Sequence, residues 1–270
     1  MINTIVQKIK ALPPLPSSFQ KINKIANDPN GTIAELVKVV EQDPMLTANL
    51  LKIANSPLYG FQREIKNIFQ AVSLFGMSLT RTLAANISVK NILKTDMEPY
   101  GLTPEEFAEI SNIQSLLAKR WYSKIDDSKT DILCLTALLQ ESGKLIIAKE
   151  ISERGETASF KEEIQNAQDL SEVEKHYINA SSAEVTAAIF EHWNFNDIVI
   201  NSIKYSDYYE AAPKDVKDLS FALKVIKTAV PVNAPLQEKS VKRAIELLEK
   251  ENMDKNLFLK EIDFFLETVK

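Results

Sequence analysis

The chain of 270 residues contains little of what several classes of functional site require. One cysteine and two histidines exclude a disulfide framework, a cysteine-rich zinc module and a metal centre that needs three imidazoles. The six glycines are scattered, and they form no phosphate-binding loop of the P-loop or dinucleotide type. The net charge of −5 predicts no nucleic-acid partner, because binding phosphate backbones calls for a positive face.

Long apolar runs are also missing. The most apolar stretch, residues 132–139, is far shorter than the roughly 20 residues that cross a bilayer, and the N-terminus has no apolar block of signal-peptide length. A single unpaired cysteine is typical of a reducing compartment. We therefore expect a cytoplasmic protein with no membrane partner. Its 45% hydrophobic and 26% charged residues are typical of a folded chain.

The patterns that are present are helical. Three capping boxes mark helix starts, namely Thr32 with Glu35, Thr103 with Glu106, and Ser181 with Glu184. Behind them apolar residues recur at spacings of three and four, whereas strand-type alternation is scarce. Residues 132–147 are apolar on nearly every side, which predicts one helix buried in the core. The sequence therefore predicts an all-α fold.

Proline-containing joints divide the helical pattern into three blocks. Residues 1–98 hold short helices, residues 99–209 hold longer helices around the apolar segment, and residues 210–270 form a C-terminal extension. The extension contains amphipathic helices that either fold back on the core or join two protomers. A homodimer through these helices is therefore left open.

Three landmarks follow one another in the first block. They are LPPLP at residues 12–16, DPMLTANLLKIANSPLYG at 43–60, and an I..I.QAVSLFG pattern that begins at Ile65 and ends at Gly76. In this order they resemble the HDOD domain family, helical signalling modules of bacteria that are related to the HD phosphohydrolases. The resemblance covers about residues 8–208. It implies a multi-helical fold with two helical subdomains, followed here by the C-terminal helices.

The resemblance also implies where the metal ligands of an HD phosphohydrolase would stand. The His-Asp doublet falls on Gln140 and Glu141, which Gly143 and Lys144 follow as the pattern expects. A neutral glutamine is a weak ligand for a catalytic divalent ion, whereas Glu141 can still bind one.

The remaining ligand positions lack imidazole as well. They read Ile110, Ser182 and the pair Ser206–Asp207. Only Glu141 and Asp207 keep a carboxylate, and two carboxylates alone give at best a weak, hydrated magnesium site. The expectation is therefore an HD-like fold that holds no metal and no other cofactor and performs no catalysis.

Three hypotheses follow. The leading one is a regulatory module of bacterial signal transduction that binds a signalling protein or a small ligand in trans and affects motility or stress behaviour. The alternative is a divergent metal-dependent nucleotide phosphohydrolase that uses Glu141 and Asp207 with Glu109 or Glu184. The third is a structural scaffold that dimerises through its C-terminal helices.

The functional surface is expected at the seam between the first block and the HD-like block, because ligand pockets favour joints between domains. Its predicted residues on the first side are Asp43, Asn55, Ser56 and Tyr59. Those on the HD-like side are Gln140, Glu141, Lys144 and Asp207. Asp43 and Asn55 also suit helix capping. Cys134 stands in the most apolar stretch, where a buried thiol is inert.

Overall fold

Helices account for the regular secondary structure of the computed structural model, which describes residues 2–59, 61 and 63–268. The helices are α1 (Ile2–Lys10), α2 (Ser17–Asn27), α3 (Ile33–Glu41), α4 (Pro44–Ala54), α5 (Ile68–Ile92), α6 (Pro104–Tyr122), α7 (Asp127–Leu139), α8 (Gly143–Glu153), α9 (Thr157–Asn166), α10 (Leu170–Ile178), α11 (Ser182–His192), α12 (Asp197–Lys204), α13 (Lys217–Ala229), α14 (Glu238–Lys250) and α15 (Lys255–Thr268). No strand occurs in this part of the chain, and the predicted all-α fold is confirmed. Gly60, the last residue of the second landmark, lies outside the described residues.

Local capping sets the helix starts as the sequence predicts. The three capping boxes are all present; in the second, the Thr103 hydroxyl accepts from the backbone N–H of Glu106 while the Glu106 carboxylate accepts from the N–H of Thr103. At α4, the Asp43 carboxylate accepts a hydrogen bond of 3.0 Å from the N–H of Leu46. These side chains satisfy amide groups that a helix leaves without a partner in its first turn.

Residues 132–147 form two helices, so the prediction of one continuous helix is wrong. Helix α7 ends at Leu139 and α8 begins at Gly143. The reason is tertiary, because α11 passes so close that a Cβ on Gly143 would lie 2.3 Å from the carbonyl oxygen of Ser182. The N–H of Gly143 also donates to Oγ1 of Thr186 at 2.8 Å. The turn at residues 140–142 is thereby fixed against the start of α11.

The larger of two compact units comprises residues 2–12 and 93–266. Within it α6 packs on α7, α8 packs on α11, and α13 packs on α7, α12 and α14. Helix α1 packs on α8 and α11, so it groups with this unit rather than with the rest of the block 1–98. Helix α15 joins the same core, where the rings of Phe258 and Trp121 lie 5.0 Å apart. The C-terminal helices therefore extend this core up to residue 266.

The smaller unit comprises residues 13–92 and 267–268. Helix α5 packs on α2, α3 and α4 around buried side chains that include Ile22, Leu36 and Leu50. By length and composition α5 could cross a membrane, although half of its apolar window is buried. Its backbone leaves the helical region at Gly76 (φ 71°, ψ −178°), a conformation that essentially only glycine adopts. Gly76 thus divides α5 into two shorter helices.

Candidate functional site

A cleft of about 440 Å³ opens in the larger unit. Three of the predicted site residues, Glu141, Lys144 and Asp207, line it. Further lining comes from α13 and α14, which follow the region that resembles the HDOD family. The cleft is therefore built by the HD-like helices and the C-terminal helices together.

The ammonium group of Lys144 lies at the centre of a buried cluster of charges. Its Nζ is 3.1 Å from Oε2 of Glu141 and 2.5 Å from Oε1 of Glu174, and it donates to Oγ of Ser182 at 2.9 Å. None of the three charged side chains is more than 6% exposed. Burial alone would lower the pKa of Lys144, but the two carboxylates outweigh it and raise the pKa above its ordinary value. Lys144 is therefore a fixed positive charge.

Glu174 is held by more donors than Glu141. The Tyr100 hydroxyl donates to its Oε1 at 3.0 Å, and the backbone N–H of Ser182 donates to its Oε2 at 2.5 Å. Burial and the Glu174 charge raise the pKa of Tyr100, which keeps the phenol protonated as a donor. Sequence reasoning missed both residues, and it had no signal for Glu174 because that residue stands in a strongly charged stretch of α10.

Asp207 forms a second ion pair at the cleft. Its Oδ1 accepts from Nζ of Lys227, which also donates to Oγ of Ser206 at 3.1 Å. Burial would raise the pKa of Asp207, but the attraction of Lys227 outweighs it and holds the pKa well below its ordinary value. Lys227 belongs to α13, after the end of the family resemblance, so no motif pointed to it.

A chain of amides fixes Gln140 and Glu141. The Gln140 side chain donates to Oε1 of Gln114 at 2.9 Å, and Gln114 donates to the carbonyl oxygen of Val230 at 2.8 Å and to Glu141 at 3.4 Å. Gln114 of α6 is thus the partner of the two doublet residues. The α6 position that the resemblance implied, Ile110, is one turn earlier and belongs to the apolar core.

The other predicted site residues lie in the smaller unit. They are Asp43, Asn55, Ser56 and Tyr59. Asp43 caps α4, as expected. Asn55 follows the last residue of α4, and its side chain exchanges two hydrogen bonds with the backbone of Ile65, at 2.9 and 2.8 Å. That these residues and the cleft form one functional surface stays a prediction.

The histidines and the cysteine, residue types that often act as metal ligands or nucleophiles, lie away from the cleft. No three His, Cys, Asp or Glu side chains converge there as metal ligands. His176 and His192 are exposed and do not line the cleft. Cys134 is buried, and burial raises the pKa of its thiol to about 12, which keeps it protonated.

Comparison with known proteins adds a family and a fold. A model of the HDOD domain matches residues 12–209. Among solved structures, a candidate phosphohydrolase from Shewanella amazonensis is similar with a TM-score of 0.74 at 18% identity, over 97% of this chain and 93% of that one. A candidate signal transduction protein from Marinobacter aquaeolei gives a TM-score of 0.73 at 20% identity, over 98% and 62%. At these identities the likeness is one of fold.

A curated relative extends well past the matched region. This protein of Treponema pallidum, described as uncharacterized, is 24% identical over 234 residues, which cover 80% of this chain. The match spans 41% of the relative's own length.

Proposed function

Because this chain belongs to the HDOD domain family, we propose that it is a non-catalytic regulatory module of bacterial signal transduction that acts by binding a protein or a small ligand. The observation that carries the proposal is the position of Lys144. Its ammonium group pairs with Glu141, the remaining carboxylate of the doublet that holds a metal in HD phosphohydrolases. A cation of the chain itself is thus already paired with that carboxylate.

Electrostatics supports this interpretation. A divalent ion bound to Glu141 would be repelled by the Lys144 ammonium, which lies 3.1 Å from that carboxylate. At a separation of about 4 Å this repulsion alone amounts to about 8 kcal/mol at an effective dielectric constant of 20, and it would offset much of the attraction by the carboxylates. Lys144 cannot easily lose its proton to relieve that repulsion, because its pKa is raised. The neutral amide of Gln140 offers little compensation.

The other carboxylates of the phosphohydrolase alternative are also committed or remote from the cleft. Asp207 is paired with Lys227. The Glu184 carboxylate closes the capping box of α11, and Glu109 is exposed and does not line the cleft. These carboxylates therefore do not fit a catalytic site for a divalent metal.

The name of the Marinobacter protein supports a place in signal transduction for this chain too. The expected partner is a signalling protein that the module meets in trans, with effects on motility or stress behaviour. A homodimer through α14 and α15 is an alternative partner arrangement.

Metal content and complementation test the proposal together. The full chain, incubated with Mn²⁺ or Fe²⁺ and desalted, is expected to retain far less than one metal ion per chain by elemental analysis. In a deletion strain of the source bacterium, Glu141→Gln is expected to restore swimming or stress survival as well as the wild type does. One tightly held ion per chain that Glu141→Gln removes, together with failure of that variant to complement, would establish the phosphohydrolase alternative instead.

A further inference from the structure

We infer that the cleft binds a small molecule with two or more negative charges, and that α13 and α14 supply the cations that recognise it. The inference rests on the proposed function, because it names the ligand class of the same cleft. Five cationic side chains line the cleft, and two of them, Arg243 of α14 and Lys224 of α13, form no ion pair shorter than 3.4 Å among the described residues. These two are therefore the cations of the cleft that can respond to an anionic ligand.

Arg243 of α14 is the strongest anchor for an anion. Its guanidinium group donates to the carbonyl oxygens of Gln168 and Lys239, and it forms no ion pair with a carboxylate in the described part of the chain. Carbonyl oxygens orient a guanidinium without neutralising its charge. Its remaining N–H groups can then form the bidentate, charge-assisted bonds that phosphoryl and carboxylate groups favour.

Lys224 of α13 is a second cation with little compensation. Its side chain is only 17% exposed, and among the described residues it forms one ion pair, a loose one of 3.4 Å to Oδ2 of Asp169. The Asp169 carboxylate is also engaged with Ser171, where it caps the start of α10. Asp169 therefore neutralises the charge of Lys224 only in part, and Lys224 can still attract an anion in the cleft.

The other three acidic side chains of the lining form no ion pair with these two cations in the described part of the chain. Glu141 and Asp207 are already paired with Lys144 and Lys227. Glu246 of α14 is exposed, where water and salt screen its charge. Arg243 of α14 and Lys224 of α13 are thus left to act on a ligand.

The cleft also has room for more than an inorganic ion. Its volume of about 440 Å³ lies within the range of about 300–1,000 Å³ of small-molecule sites. Leu170, Pro231 and Leu247 give its lining an apolar part. The ligand class that fits is a small organic molecule with a doubly charged phosphoryl or carboxylate end.

Calorimetric titration of the full chain tests the inference, with EDTA present and at low salt. The probes are inorganic pyrophosphate and, in a separate arm, citrate, so that the preferred anionic group is identified. We expect saturable binding of one molecule per chain for at least one probe. Arg243→Gln and Lys224→Gln should each weaken this binding at least tenfold, because each removes a charge that faces the ligand.

Lys242→Gln is the matched control. Lys242 is exposed on α14, like Arg243 it is a cation of that helix, and it does not line the cleft. The substitution removes one positive charge, as Arg243→Gln does. It should change the affinity less than twofold. Two results would overturn the inference and leave the proposed function standing. One is the absence of saturable binding with both probes, and the other is a loss of affinity in Lys242→Gln equal to that in Arg243→Gln and Lys224→Gln. Release of phosphate from pyrophosphate on addition of Mn²⁺, abolished by Glu141→Gln, would contradict the proposed function and leave the binding result intact.

Discussion

Nζ of Lys144 lies 2.5 Å from Oε1 of Glu174, and neither side chain is more than 3% exposed. The two residues are 30 positions apart and belong to α8 and α10, so their ion pair joins two helices inside the larger unit. Bringing two charges out of water costs several kcal/mol each, and only a complete set of partners offsets that cost. The cluster around Lys144 is therefore sensitive to the loss of any one member.

Lys144→Met is expected to lower the free energy of unfolding by about 3–5 kcal/mol, because it leaves two buried carboxylates without their cation. Urea denaturation of the full chain measures this loss. Lys149→Met, at an exposed position of the same helix, is the control and should change stability by about 0.5 kcal/mol or less. A loss below about 1 kcal/mol in Lys144→Met would contradict a structural role for the pair.

The two carboxylates of the cluster should differ in their contribution. Glu174 accepts from Lys144, Tyr100 and the backbone of Ser182, whereas Glu141 accepts from Lys144 and from Gln114 at 3.4 Å. Glu174→Gln is therefore expected to destabilise the chain by at least about 1 kcal/mol more than Glu141→Gln, because it disturbs more charge-assisted bonds. The comparison uses the same urea denaturation. Equal losses of unfolding free energy in the two variants would show that the additional donors to Glu174 contribute nothing to stability.

Local signals account for the part of the site that the sequence could predict. Asp43 caps α4 because an aspartate before Pro44 is a helix start that needs no distant partner. Gln140 and Glu141 could be placed because they follow the landmarks of the family resemblance. Glu174 and Lys227 could not be placed, since each meets its partner, Lys144 or Asp207, only when segments 20 or more positions apart have packed.

The break between α7 and α8 has the same explanation. Apolar residues on both sides favour a continuous helix through residues 132–147, and the local signal against it, Ser142 followed by Gly143, is weak on its own. The chain turns instead at residues 140–142, where Gly143 allows α11 to approach. The sequence alone does not show that Gly143 is required by a distant helix.

Gly143→Ala tests that close approach directly. The new Cβ would lie 2.3 Å from the backbone oxygen of Ser182, which cannot move aside as a flexible side chain could. We expect a loss of about 3 kcal/mol or more in the free energy of unfolding, at the upper end of overpacking effects. Gly155→Ala is the comparison: its backbone has φ +71°, no atom lies within 4 Å of the new Cβ, and strain alone should cost about 1 kcal/mol. A smaller loss for Gly143→Ala than for Gly155→Ala would contradict the proposed cause of the helix break.

The ion pair between Asp207 and Lys227 should make stability depend on pH in the acidic range. The pKa of Asp207 is lowered in the folded chain, so the unfolded chain binds its proton first as the pH falls. The stabilisation by the pair is therefore complete above the unfolded pKa of about 3.9 and is lost as the pH drops through the folded pKa.

Asp207→Asn should cost about 3 kcal/mol at pH 7, because it leaves Lys227 without its carboxylate, and this cost should shrink steadily below pH 4. Denaturation of both chains between pH 2 and pH 7 measures the difference, with Asp215→Asn as the control at an exposed position. A cost that stays constant over this range would show that the pair does not hold Asp207 ionised.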